Sequence, residues 1–480
     1  MASSPKDAAV TAGAMTASLA VAVAVVQTAK LSPGLLVVAA ALGLPLGRTR
    51  RDEDWLDRVI ALTVLPLVAA AAVAMHALLA GPYAALGAAL FVVTLSTTVW
   101  VRRWGARATT AGAQASMPLL IVVLVAPVGM ADIGWTALIA MMTCGVVLVT
   151  HLLTGTPSQR RADTPPQRRL PASTKMAIQL GVALALAFLC GRFVLGEHWQ
   201  WAVLTTFLVC SGNRGRADVV HKGVLRVAGA AAGTGGATLL LPLFDGSPAA
   251  HLAAVFVVLL AGIWSRSFSY AYWAGSITAA LAFTYAYFAQ SAASLLVVRL
   301  AGILLGGVIA IVVSWYLLPV RSTAVARLRV AESVRALAVF LESLQERVVG
   351  HGGEQLPEHR VRFEQAVGRV EEIAAPFEAR RRLMGSRPTG GRRHADVFDA
   401  LRDSARSVRE LAAYVEGSPG VHRKPGVAAL VGQARKELGV LSADDDRPRP
   451  ALEGAQLLTV LRRTNERLAE TAAALAARSP

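Results

Sequence analysis

Two arginines stand inside apolar runs. Arg299 lies in Leu296-Val297-Val298-Arg299-Leu300-Ala301-Gly302, and Arg226 opens Arg226-Val227-Ala228-Gly229-Ala230-Ala231-Ala232-Gly233. A charge at the centre of a bilayer costs at least about 3 kcal/mol, so such residues usually face a cavity or a partner. A guanidinium presents a rigid fork that grips a carboxylate through two parallel hydrogen bonds. Arg299 is therefore the first candidate for holding a small organic anion. The competing reading is a side chain near the outer end of its run that snorkels to the interface. Arg226 reads either as a second anion ligand or as a cytoplasmic anchor of the positive-inside kind.

Glu197 and His198 follow Arg192 between two apolar runs. Carboxylate and imidazole groups carry protons near neutral pH when their surroundings shift them, which makes both proton-coupling candidates. Their loop position suits solvated residues equally well. Trp199 and Trp201 read as interfacial belt aromatics or as rings on which an aromatic acid stacks. Four of the seven tyrosines (Tyr270, Tyr272, Tyr285 and Tyr287) fall in one run with Trp273 and Phe288. Tyr270 and Tyr272 thereby become candidates for an aromatic-lined pathway, with belts at the two helix ends as the alternative. Gln114, Gln179, Thr205, Thr206 and Asn213 are neutral hydrogen-bonders more suited to neighbouring helices than to a ligand.

These residues need elements to hold them. The chain of 480 residues is 54% hydrophobic and only 16% charged, against roughly 25% charge in a soluble protein. Residues 1–320 hold 21 of the 48 Lys+Arg and 10 of the 31 Asp+Glu; the shorter remainder holds the rest. The first two-thirds therefore belongs in lipid and the last third in water. Transmembrane helices need about 20 mainly apolar residues. Twelve runs qualify or nearly so: 8–29, 31–47, 59–79, 82–101, 109–129, 133–153, 175–195, 199–212, 224–244, 249–264, 268–289 and 294–319. The runs 31–47 and 199–212 are the shortest for the task. Loops after even-numbered runs carry 16 basic residues, and the odd loops only Lys30 and Arg192. The positive-inside rule then places both termini in the cytoplasm of a multi-pass plasma-membrane protein.

The halves resemble each other at a shift of about 164–168 residues, as parallel repeats with an even number of spans would. Trp100-Val101-Arg102 faces Trp264-Ser265-Arg266, and residues 135–155 pair with 299–319. The expectation is an all-α fold of about twelve transmembrane helices in two parallel six-helix repeats, ahead of a cytoplasmic helical bundle. Its divisions are a first repeat over 1–155, a linker over 156–174, a second repeat over 175–320 and a cytoplasmic domain over 321–480.

Gly196-Glu197-His198-Trp199-Gln200-Trp201-Ala202, then Arg214-Gly215-Arg216, then Lys222 to Gly233 resembles the signature of the FUSC family. That family comprises fusaric acid resistance proteins and aromatic acid exporters, and is distantly similar to plant aluminium-activated malate transporters. Trp264 followed by Tyr270-Ala271-Tyr272 approaches a later family motif. The likeness is best over 175–320, weaker over 8–155 and absent from the tail. It implies export of small organic anions, often aromatic carboxylates, across the inner membrane; some members work with a periplasmic adaptor.

After Pro319 the pattern becomes heptads. Val330, Val334, Leu337, Leu341, Leu344 and Val348 form a seam, and Phe363, Val367, Val370, Ala374 and Phe377 repeat it. Further helices are expected at 395–416, 425–440 and 451–477, with breaks that include Pro388–Gly391. The bundle either folds alone or joins two copies into a homo-oligomer. Its basic clusters suit a solvated face or anionic lipid, and no nucleic-acid module occurs. Cys144, Cys190 and Cys210 sit in apolar runs and suggest no disulfide. Without a P-loop, a metal motif or a nucleophile–base pair, no enzyme, cofactor or metal is expected. The readings left are a proton-coupled exporter, a passive anion channel, and a non-transporting scaffold that recruits a partner through its tail.

Overall fold

In a computed structural model of the chain, the described residues are 5–32, 34–48, 55–124, 128–154, 172–212, 215–244, 248–266, 268–287, 292–350, 354–384, 390–417, 425–442 and 454–476. The expected linker over 156–174 lies outside them up to residue 171, as do Asn213 and Phe288. All regular structure among them is helical. The chain forms two compact units, Ala2–Val320 and Arg321–Pro480.

The first unit contains twelve described helices: α1 (Pro5–Thr28), α2 (Gly34–Arg48), α3 (Trp55–Ala80), α4 (Ala84–Trp100), α5 (Ala106–Leu124), α6 (Ile133–Leu153), α7 (Ala172–Leu195), α8 (Gln200–Cys210), α9 (Arg216–Leu240), α10 (Pro248–Ser265), α11 (Tyr270–Tyr287) and α12 (Ala292–Tyr316). Seven are long and apolar enough to cross a membrane: α1, α3, α4, α6, α7, α9 and α12. The 11 residues of α8 rise only about 16 Å, roughly half of a bilayer's hydrocarbon core.

Apolarity runs on both sides of several helices in this unit. In α4, Gly87, Phe91, Leu95, Thr98 and Val99 are buried, while Leu86, Leu90 and Val93 on its other face are exposed. Leu153, Leu189, Phe193, Leu239 and Val297 are likewise exposed leucines, valines and phenylalanine. In water such a surface would be an aggregation liability; in lipid it is the solvated face.

Most neighbour pairs of α1–α6 recur in α7–α12, although α2 with α5 and α3 with α4 have no counterpart among the described residues. α1 packs on α2 and α6, α2 on α6, α3 on α5 and α6, and α4 on α5. Correspondingly, α7 packs on α8 and α12, α8 on α12, α9 on α11 and α12, and α10 on α11. α4 against α7 joins the two sets.

Two of these contacts are backbone to backbone. A Cβ at Gly229 would run into the Ala271 carbonyl, and one at Gly233 into Gly275, where α9 meets α11. Between α12 and α8, a Cβ at Gly306 would strike the Ala202 carbonyl and one at Gly302 the Trp201 side chain. Small residues at four-residue spacing permit this closeness in membrane helices. Thr206 Oγ1 adds a hydrogen bond to the Gly306 carbonyl at 3.1 Å, and Gln179 Nε2 bonds the Leu317 carbonyl at 2.6 Å.

The second unit is amphipathic, its apolar residues gathered into one buried core. Its described helices are α13 (Ser322–Val349), α14 (Leu356–Met384), α15 (Gly390–Gly417), α16 (Pro425–Ser442) and α17 (Gly454–Ala476). α13 packs on α14 and α16, α14 on α15, and α15 and α16 on α17, which closes a ring. The seam Val330, Val334, Leu337, Leu341, Leu344 and Val348 is buried in the core of this ring. Gly350 ends α13 in the left-handed region at φ 85, its N–H reaching the Glu346 carbonyl, as glycine at a helix C-terminus commonly does. Gly390 and Gly391, expected in a break, instead begin α15. A glycine costs about 1 kcal/mol in a helix interior, but these two occupy only the first two positions of α15.

Candidate functional site

The two close-packed helix pairs deliver their arginines to one place. In both helices an arginine precedes the first packing glycine by three residues: Arg226 before Gly229, and Arg299 before Gly302. Residues three apart share a helix face, so each guanidinium leaves its helix beside the backbone contact. Arg299 is 2% exposed and Arg226 7% exposed, so neither side chain reaches an interface.

Helix α8 supplies the partners. The Arg299 guanidinium carbon lies over the Trp201 ring, 4.5 Å from its centroid, a cation–π contact of the desolvated kind. One turn further on, Thr205 Oγ1 accepts a hydrogen bond from Arg226 Nε at 3.4 Å. Arg226 Nη1 donates to the Tyr270 hydroxyl at 3.2 Å. The Tyr285 hydroxyl lies within reach of the Arg299 guanidinium, and the two arginines are close enough for their charges to repel.

All four partners are neutral. The one buried acid among the described residues of this unit, Asp218, pairs with Lys222 at 2.9 Å. Arg299 Nε and Nη1 are buried with no hydrogen-bond partner. Burying one cation without a counter-charge is costly, and two together more so. The cluster therefore holds two positive charges and two orphaned nitrogens, a constellation that an anion would complete.

Of the residues singled out from the sequence, Arg226, Arg299, Tyr270 and Trp201 come together. Trp201 has a face engaged by Arg299, so it holds the guanidinium plane. Tyr272 is 59% exposed and points away from the cluster, because two residues along α11 from Tyr270 is the opposite side of a helix. Glu197 and His198 lie in a short 3-10 turn, Gly196–His198, ahead of α8; Glu197 is exposed and lines a separate pocket. Trp199 stacks on Phe188, with ring centroids 4.7 Å apart.

Thr205 was legible only as a generic hydrogen-bonder, and Tyr285 only as one member of the aromatic run that could line a pathway. The signal that could have raised them is the shared arginine–glycine spacing of α9 and α12, which marks where α8 and α11 must approach. No group of three His, Cys, Asp or Glu among the described residues is placed to hold a metal ion.

Residues 180–313 match a family model described as fusaric acid resistance protein-like. The matched stretch contains Trp201, Thr205, Arg226, Tyr270, Tyr285 and Arg299. A search of curated proteins found no match to the chain.

Proposed function

The chain belongs to that family through its second helical set, and from this premise we propose that it is an inner-membrane secondary exporter of small organic anions. The compounds are aromatic or carboxylated, and transport is coupled to the proton gradient. The observation that carries this reading is the buried pair Arg226 and Arg299, which no described acid neutralises. A carboxylate entering the cluster takes the hydrogen bonds that Arg299 Nε and Nη1 lack. Tyr270, Tyr285 and Thr205 adapt by rotating their hydroxyls as the anion arrives. Trp201 keeps the guanidinium in plane while the anion arrives and leaves. Weak, multi-site holding of this kind lets an ion enter and also depart.

The recurring neighbours of α1–α6 and α7–α12 support twelve crossings in two parallel repeats. The asymmetry of basic loops supports cytoplasmic termini. Glu197 and His198 are the proton carriers in this scheme, at the outer end of the pathway.

One observation favours a second reading. No described acid or histidine hydrogen-bonds either arginine, so the cluster lacks a proton acceptor of its own and suits a passive anion channel. Proteoliposomes loaded with radiolabelled benzoate distinguish the readings. Arg299→Ala should abolish flux while the protein remains inserted and monodisperse; undiminished flux removes Arg299 from the path. With the membrane potential clamped, flux that follows an imposed pH gradient establishes coupling, and indifference establishes the channel.

A further inference from the structure

A pocket of about 560 Å³ opens at the end of the helices where Trp199 and Gln200 begin α8. It lies between α3, α4 and α5 on one side and α7 and α8 on the other. Its polar lining is His76, Arg192, Glu197 and Gln200. Leu79, Ala84 and Val123 form the apolar part of the wall. A cavity this size falls in the range that small-molecule sites occupy, roughly 300–1,000 Å³.

Its charges are arranged unlike those of the arginine cluster. Here one cation and one anion face the same space. Arg192 and Glu197 are both exposed and form no ion pair with each other or with any described residue. Arg192 is instead drawn toward the Trp199 ring, 5.2 Å from its centroid. His76 is held by Nδ1, 2.9 Å from the Val123 carbonyl. A carbonyl only accepts, so Nδ1 is the donor, and in the neutral tautomer Nε2 is left as an acceptor. The pocket thus offers a guanidinium donor at one point and two acceptors, a carboxylate and an imidazole nitrogen, at others.

The geometry points to a ligand site for a small zwitterion of the α-amino-acid class, separate from the arginine cluster. The ligand carboxylate sits on Arg192, the ammonium faces Glu197 and His76 Nε2, and a modest apolar side chain rests on Leu79, Ala84 and Val123. A simple anion would meet Glu197 as a like charge, and a simple cation would meet Arg192. Only a molecule with both charges a few bonds apart satisfies each group, which is selection by penalising the wrong partner as well as favouring the right one. This assignment goes beyond the export reading and does not rest on it.

Isothermal titration calorimetry on the full chain in nanodiscs tests it with matched trios. Alanine, leucine and phenylalanine are each compared with the analogue lacking the ammonium and the analogue lacking the carboxylate, for phenylalanine 3-phenylpropionate and phenethylamine. At least one amino acid should bind saturably, and deleting either charge should weaken it ~10-fold or more, equivalent to about 1.4 kcal/mol. Glu197→Gln should erase the preference over 3-phenylpropionate, and Arg192→Gln the preference over phenethylamine; both side chains are exposed, so neither variant threatens folding. Arg299→Ala should leave these affinities unchanged. Equal binding of amino acid and deaminated analogue, no saturable binding of any amino acid, or loss of binding in Arg299→Ala would each overturn the assignment.

Discussion

Arginine does opposite work in the two units. In the tail, Arg402 reaches Glu378 at 2.7 Å and Asp399 at 2.8 Å, and Arg381 reaches Asp399 at 2.6 Å and Asp396 at 3.4 Å. The hydrogen bond from Arg381 to Asp399 holds its guanidinium above the ordinary arginine pKa. Both of these guanidinium groups are answered by carboxylates and remain about one-third exposed. Among the apolar helices, Arg226 and Arg299 meet a tryptophan ring and hydroxyls but no carboxylate. A neutralised guanidinium fastens two helices; an unanswered one is left to take a charge from outside. The difference lies in the partners.

That contrast can be broken from either side. The strongest intervention is Tyr285→Glu, which hands Arg299 a permanent internal counter-charge. Benzoate flux in proteoliposomes should fall as far as in Arg299→Ala, with helical content by circular dichroism unchanged. Retained flux would mean that the missing carboxylate is incidental. Next in size, Leu341→Ala removes a fully buried core side chain of the tail and should destabilise that unit by about 2–5 kcal/mol. Hydrogen exchange of α13 amides in the full chain would report it. The smallest effect belongs to Glu378→Gln, which takes one of several partners from a one-third exposed Arg402. Exposed pairs are worth roughly 0–1 kcal/mol, so the same exchange experiment should show little change and flux none. A large loss there would show that the tail network is more than a set of solvated pairs.

Much of this was readable along the chain. Apolar runs of membrane length, the shift to heptads after Pro319 and the isolation of Arg226 and Arg299 are local properties of composition and period. The glycine spacing also announced close packing, since removing side chains at four-residue intervals has few other uses in a helix. Tyr272 shows the limit. Its type and neighbourhood matched those of Tyr270, yet the rotation of α11 against α9 turned one toward Arg226 and the other outward.

The sequence by itself determined which segments are helical, which prefer lipid and that two guanidinium groups would be held among apolar residues. Those outcomes depend on each residue's own transfer energy and on helical periodicity, both readable one segment at a time. Only the tertiary structure decided that Arg299 lies on Trp201, that no described acid reaches it, and that His76, Arg192 and Glu197 share a pocket. Such meetings join residues far apart in the chain, and they are set by how neighbouring helices rotate and slide as they pack.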